Sequence, residues 1–350
     1  MKINNRVILH LVERSHHGRY CAGQWKDIES LNFMLKGLGY DFEFIEFEQD
    51  KIEQVVASCR DRKATDVIVY YSFWPELLHR LRSELPELRL YIRTVNAEAM
   101  QNWQRYGVSL FPSYSNIRQV YGSIRLAWRD SQCKKYADAL LGISEWDNRN
   151  YWLRLPGKAR IYDVPYCSPW SEYRHGITPK LWADRSNQII CLAGGRDPIG
   201  KSMLQGFSTM ADKFRLQNEF DDWEFLLSPG IKDADVKELF SGHVVRMSFL
   251  DEPWDMLCSV KALAVLTPLG FGSKTTIIDA LAAGCHVLVH PVLVRRLPEN
   301  VRDLCIEYDP MDKTAHSSLH YRLSRQPEQN SINDTIKDQV REVFQNFFRC

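Results

Sequence analysis

Short apolar runs alternate with amphipathic helical stretches along most of this chain, and that rhythm limits its fold more than any other feature it carries. The segments 6–13 (RVILHLVE), 41–48 (DFEFIEFE), 66–73 (DVIVYYSF), 88–95 (LRLYIRTV) and 137–144 (ADALLGIS) read as strands. Between them, 25–39, 50–64 and 76–87 place apolar residues at helical spacing. Strands separated by helices imply parallel βαβ units with right-handed crossovers. From 152 to 186 the pattern loosens, and 153–182 carries four prolines and two glycines, which reads as a linker. The rhythm then restarts with NQIICLAGG (187–195), a helix at 201–216, DWEFLLSPG (222–230), a helix at 232–240 and HVVRMSFL (243–250). It continues through WDMLCSVKA, LAVLTPLG (263–270), the helix TTIIDALAAG (275–284), HVLVHP and LCIEYDP, and closes with a helix at 333–348.

The expected architecture is α/β, with two Rossmann-like doubly wound parallel sheets. The domains are 1–165, a linker at 166–186, 187–330, and a closing helix at 331–350. Two such sheets in series put ligands at the carboxyl ends of strands, in the cleft between domains. Lys and Arg number 45 against 44 Asp and Glu, a net charge of +1, so no global field favours nucleic acid. The nine cysteines are scattered with no CxxC pair, which points to reduced thiols rather than a disulfide framework or zinc site. The first residues run straight into a strand-like segment, and the longest apolar stretches are too short to span a bilayer. A cytoplasmic protein is expected.

Two segments carry candidate chemistry. In AGGRDPIGKSMLQGF a buried strand ends at Gly194 and Gly195, Arg196 follows, and Lys201 comes five residues later where a helix begins. Glycines let the backbone approach an anion, a helix N-terminus offers unpaired N–H groups, and Arg and Lys add a fork and a point charge for phosphate oxygens. The alternative is a solvated turn with incidental charges. In LTPLGFGSKTTIIDALAAGCHVLVHP a strand runs into a loop holding Gly270, Gly272, Ser273, Lys274, Thr275 and Thr276, then into a helix with Asp279 one turn in. Loop and helix start can cradle phosphate, and the acid can accept from a hydroxyl pair or merely complement the helix dipole. The P-loop spacing GxxxxGK[ST] is absent, which argues against an NTPase.

The order and separation of these segments resemble the GT-B glycosyltransferases, family-4-like (glycosyl transferases group 1), of the bacterial polysaccharide type. In that family a "GR…KG" segment supplies the Arg and Lys that bind the donor diphosphate, and Arg196 and Lys201 match it. The later "PS…EGFG…EAMACG" motif is matched by Thr267, Pro268, Gly270, Phe271, Gly272 and the stretch from Asp279 to Gly284, with Asp279 in place of the ribose-binding Glu. The first acid of that motif falls on Leu269 or Phe271, neither of which can hydrogen-bond a sugar. IRTVNAEA resembles "R.HNxE", with Asn96 and Glu98 matching and Val95 in place of the histidine. Ser144 and Glu145 resemble the family's end of the last strand of the first domain. The resemblance covers 185–325 well and the first half more loosely.

It implies a nucleotide-diphosphate sugar as co-substrate, no further cofactor, no metal, and retention at the anomeric centre. Arg196 and Lys201, with Lys274, would stabilise the leaving diphosphate. The acceptor would be a saccharide or lipid-linked saccharide, with peripheral contact at the inner face of the membrane and no nucleic-acid partner. The loop 14–23 follows the first strand, and its His16, His17 and Arg19 are acceptor-side candidates or a plain polar surface; an inverting enzyme would use His16 or His17 as base. Trp74, Trp103 or Trp146, if exposed, could stack on a sugar ring, although packing is the commoner fate. The rival readings are a catalytically silent nucleotide-sugar-binding protein and a GT-B-shaped epimerase.

Overall fold

The computed structural model describes residues 6–14, 22–106, 114–173, 176–193, 198–228, 244–247, 253–312, 318–328 and 331–348. The chain folds as two compact units. One comprises Met1–Pro169, Phe271–Thr275 and Asp334–Cys350, and the other Trp170–Gly270 and Thr276–Asn333.

The first unit is built on a six-stranded sheet of β1 (Val7–Glu13), β2 (Asp41–Phe47), β3 (Asp66–Tyr70), β4 (Arg89–Thr94), β5 (Ala139–Gly142) and β6 (Arg160–Asp163). The strand order is β2-β1-β3-β4-β5-β6 and every pairing is parallel. All five residues of β3 are buried, as expected of a strand covered by helices on both faces. β2, at the edge, keeps the alternation seen in its sequence. The helix Ile332–Phe348 ends on this unit from Asp334 onward. Phe347 packs on Tyr91 at 4.5 Å and Phe348 on Tyr40 at 5.0 Å between ring centroids.

The second unit holds β7 (Ser186–Cys191), β8 (Glu224–Leu227), β9 (Val244–Arg246), β10 (Val260–Val265), β11 (His286–Val289) and β12 (Ile306–Glu307). They run in the order β12-β11-β10-β7-β8-β9, again all parallel. The chain therefore starts in the middle, winds out to β9, returns beside β7 as β10, and winds out the other way. That reversal sets the carboxyl ends of β7 and β10 side by side, and a doubly wound sheet opens its ligand crevice at such a switch point.

Two details depart from the sequence reading. β6 lies inside the proline-rich stretch read as irregular. It has only four residues, none of them buried, so it offers no apolar run. β10 begins at Val260 rather than at 263, and WDMLCSVKA contributes a single helical turn, Trp254–Leu257, before it. The helix expected at 232–240 lies outside the described residues. The seven described cysteines are all free and buried; burial pushes the Cys285 thiol up to about 12, which keeps it protonated and unreactive.

Candidate functional site

In the second unit, β7 leads towards Gly194, Gly195 and Arg196, which lie outside the described residues, and then into the helix Pro198–Arg215. Proline at the first helical position surrenders an N–H that the helix could not use. No acid occupies the first turn, and Lys201 stands exposed in it. The helix is seated unusually close to the sheet. A Cβ on Gly206 would lie 2.2 Å from the Leu266 carbonyl oxygen just beyond β10, so only glycine permits this approach. Thr267, fully buried, donates to Ser202 Oγ at 3.0 Å and accepts from the Leu269 amide at 3.1 Å. The helix start is thereby held against the end of β10. This is the arrangement that lets unpaired N–H groups and a lysine act on one anion.

Gly270 follows at φ +108°, and the Arg296 guanidinium donates to its carbonyl. The helix Thr275–Ala282 carries Asp279 at 1% exposure, so its carboxyl is enclosed by protein rather than presented as an open acceptor. His290, beyond β11, accepts the Val292 amide at Nδ1, which places its proton on Nε2. Burial holds its pKa below the usual histidine range. Neutral His290 is therefore a hydrogen-bond donor at this edge of the sheet, a role that its apolar-looking segment gave no reason to expect.

In the first unit the carboxyl edge of the sheet carries a tight polar network. Tyr71, immediately after β3, has φ +70°, a left-handed conformation that a bulky side chain adopts only when its surroundings enforce it. Its hydroxyl donates to Glu98 Oε1 at 3.1 Å and accepts from Asn96 Nδ2 at 3.0 Å, and Asn96 also donates to Glu98 at 3.1 Å. Burial, followed by the Glu98 charge, pushes the Tyr71 hydroxyl well above its ordinary range, so it remains a donor. Asn96 and Glu98, the expected acceptor-side pair, are thus brought together around a tyrosine that sequence reasoning missed.

Residues Phe271–Thr275 belong to this unit, and Asp147 explains how they are held. Its Oδ2 accepts the Gly272 amide at 2.8 Å and the Ala97 amide at 3.3 Å. Asp147 is 3% exposed and sits in the helix Glu145–Asn150, whose N-cap Ser144 accepts the Asp147 amide at 3.2 Å. Ser144 therefore builds the site indirectly, while Glu145 pairs with Arg149. Gly272 has φ +73°, and a Cβ there would fall 2.1 Å from Asn96 Oδ1 and 2.5 Å from the Val95 carbonyl. Phe271 is buried in the core of the unit, 5.7 Å from the Trp146 ring. Phe271, one of the two positions on which the resembled family's first acid falls, is used here as an apolar anchor for the loop. Ser273 and Lys274 are half-buried and Thr275 is buried; Thr276 opens the second unit's share of the helix.

His16, His17 and Arg19 lie outside the described residues. Of the three tryptophans singled out for stacking, Trp74 and Trp146 pack against the first core, and Trp103 is exposed.

No protein-family model matches the chain, and no curated protein matches it in sequence. Solved structures do match its fold. A glycosyltransferase from Rickettsia africae superposes with TM-score 0.61 at 12% identity, covering 99% of this chain and 98% of its own. Anabaena Alr3699/HepE, solved with UDP and glucose, gives 0.59 at 11% identity, covering 99% and 100%. A chain from Listeria monocytogenes assigned as a UDP-N-acetylglucosamine 2-epimerase gives 0.53 at 12% identity, covering 97% and 91%. Two parallel α/β units matched over nearly their whole length to such proteins identify the architecture: the chain has the GT-B fold.

Proposed function

We propose that the chain is a glycosyltransferase that moves a sugar from a nucleotide-diphosphate donor to a hydroxyl acceptor. The observation that carries this reading is the pairing of β7 with β10. It sets the approach to AGGRDPIGK beside the approach to TPLGFGSK at the switch point of one sheet. In the reaction, the bond from the anomeric carbon to the diphosphate oxygen breaks and the acceptor oxygen bonds to that carbon. The acceptor proton passes to the departing diphosphate, which leaves as nucleoside diphosphate, with retention at the anomeric centre. The N-terminal turn of Pro198–Arg215, with Arg196, Lys201 and Lys274, would meet the charge growing on the leaving group, without a metal ion. Fixed dipoles and cations stabilise such charge better than water because they need no reorganisation. Asn96 and Glu98, ordered by Tyr71, would face the acceptor. The family resemblance supports surface polysaccharide or glycolipid assembly on a saccharide or lipid-linked saccharide.

The test is a panel of nucleotide sugars, read for slow release of nucleoside diphosphate and for thermal stabilisation. A transferase releases nucleoside diphosphate and accelerates on finding its acceptor. Stabilisation without release would identify a binding protein, and conversion of one nucleotide sugar into its isomer would identify an epimerase. We expect Arg196→Ala to lower turnover by about a hundredfold with an unchanged thermal transition. Undiminished turnover would remove the diphosphate assignment.

A further inference from the structure

The helix Tyr114–Tyr136 of the first unit carries an apolar stripe that no part of the described chain covers. Ile117, Tyr121, Ile124 and Trp128 are 63, 67, 62 and 62% exposed. Their spacing of four, three and four places them on one face, a strip of about 16 Å at the rise of an α-helix. Lys135, seven residues after Trp128, continues the strip, and Arg118 and Arg125 flank it; all three are exposed. The opposite face, with Ser123, Asp130, Cys133 and Lys134, is buried. Asp130 is the one acid in the helix, so its exposed surface combines apolar side chains with cations and has no carboxylate. The adjoining helix Glu98–Tyr106 packs on the other side, where Asn102 donates to Ser123 Oγ at 2.9 Å, and leaves the stripe open. Past Trp128 a groove of about 590 Å³ opens between Ile52, Pro75 and Tyr136. Its Glu53 and Glu76 are both exposed carboxylates, Glu53 being paired with Arg80.

We propose that this face docks on an anionic lipid bilayer, with Ile117, Tyr121, Ile124 and Trp128 entering the headgroup boundary and Arg118, Arg125 and Lys135 meeting lipid phosphates. A row of apolar and aromatic side chains edged by cations is the pattern of a helix that lies in a membrane surface, and each cation adds attraction to an anionic leaflet. A second copy of the chain is a poorer occupant. Two-fold pairing sets a surface against itself, and this helix has no exposed carboxylate to answer its own arginines. Among the described residues no helix is long and apolar enough to cross a membrane. The proposal rests on this helix face alone and stands apart from the assignment of glycosyl transfer.

The test is cosedimentation of the full chain with vesicles of phosphatidylglycerol and phosphatidylcholine in equal parts, and with phosphatidylcholine alone, without donor or acceptor. We expect capture by the mixed vesicles only, weakened by salt. The double variants Ile124→Glu with Trp128→Glu and Arg118→Glu with Arg125→Glu should each reduce capture at least tenfold, with unchanged thermal transitions. Wild-type protein left in the supernatant overturns the proposal, as does undiminished capture of both variants. A dimer in sedimentation equilibrium that both variants dissolve would show that a second copy covers the face, and would likewise overturn it.

Discussion

Replacing Gly272 by alanine adds one methyl group to the loop that Asp147 holds, and the structure allows its cost to be worked out in two parts. The first is conformational. At φ +73° an L-residue pays about 1–2 kcal/mol for the left-handed region. Gly39, in the same unit, has the same φ of +73° and nothing within 4 Å of its would-be Cβ, so Gly39→Ala measures this part alone. The second part is steric. The new methyl would meet Asn96 Oδ1 at 2.1 Å and the Val95 carbonyl at 2.5 Å. Asn96 can turn aside only by giving up its bonds to Tyr71 and Glu98, and the carbonyl is backbone. Forced overlaps of this kind cost about 1–3 kcal/mol, so Gly272→Ala should total about 2–5 kcal/mol. Urea unfolding of the two variants beside wild type, followed by tryptophan fluorescence, provides the comparison, and turnover of the nucleotide sugar is measured in parallel. Gly272→Ala should be the less stable by at least about 1 kcal/mol and the less active. Equal stability and equal turnover would show that the loop is not packed as described.

Asp147→Ala leaves the Gly272 and Ala97 amides without their acceptor, at about 1–3 kcal/mol for each buried donor. It should lower kcat/KM at least tenfold, with Asp147→Asn intermediate; wild-type kinetics in both would deny the carboxylate its positioning role. At Gly206 two effects of opposite sign compete. Helix propensity favours alanine by about 1 kcal/mol, while contact with the Leu266 carbonyl at 2.2 Å opposes it, and we expect a net loss in thermal unfolding. A gain would mean that the helix is not seated on β10 so closely. His10 is fully buried beside Asn32 at 2.8 Å, and burial lowers its pKa from 6.5 to about 4. A depressed base stabilises the fold above the unfolded pKa, so stability should fall by about 3 kcal/mol as pH drops from 6.5 to 4. His10→Phe should flatten this slope in denaturant titrations across that range, and an unchanged slope would assign the loss to other groups.

How much could be read in advance depended on how local each cause was. β1, β3 and β4 were legible because a strand covered on both faces is mostly apolar, and β7 through the apolar half that is buried; that signature lies within a few consecutive residues. β6 was not, because an edge strand of four half-exposed residues leaves no such trace. In the candidate site, the glycines and cations after β7 and β10 were legible as residue types suited to phosphate. Asp147 was not, since its partner Gly272 lies 125 positions away. Tyr71 read as one more strand aromatic, and neither its left-handed backbone nor its bond to Glu98 has a sequence signature. Gly206 looked like a helix residue of no consequence until Leu266 was found against it.

By itself, the sequence determined the alternation of strands and helices, the parallel character of both sheets, and the presence of two segments chemically suited to an anion. Those properties follow from side-chain periodicity and turn chemistry, which act over a few residues. Only the tertiary structure decided that β10 returns beside β7, that Phe271 anchors its loop in the first core, and that Asp147 holds the glycine loop. Strand order and loop seating are set by which distant surfaces bury one another best, and no window of consecutive residues contains both partners.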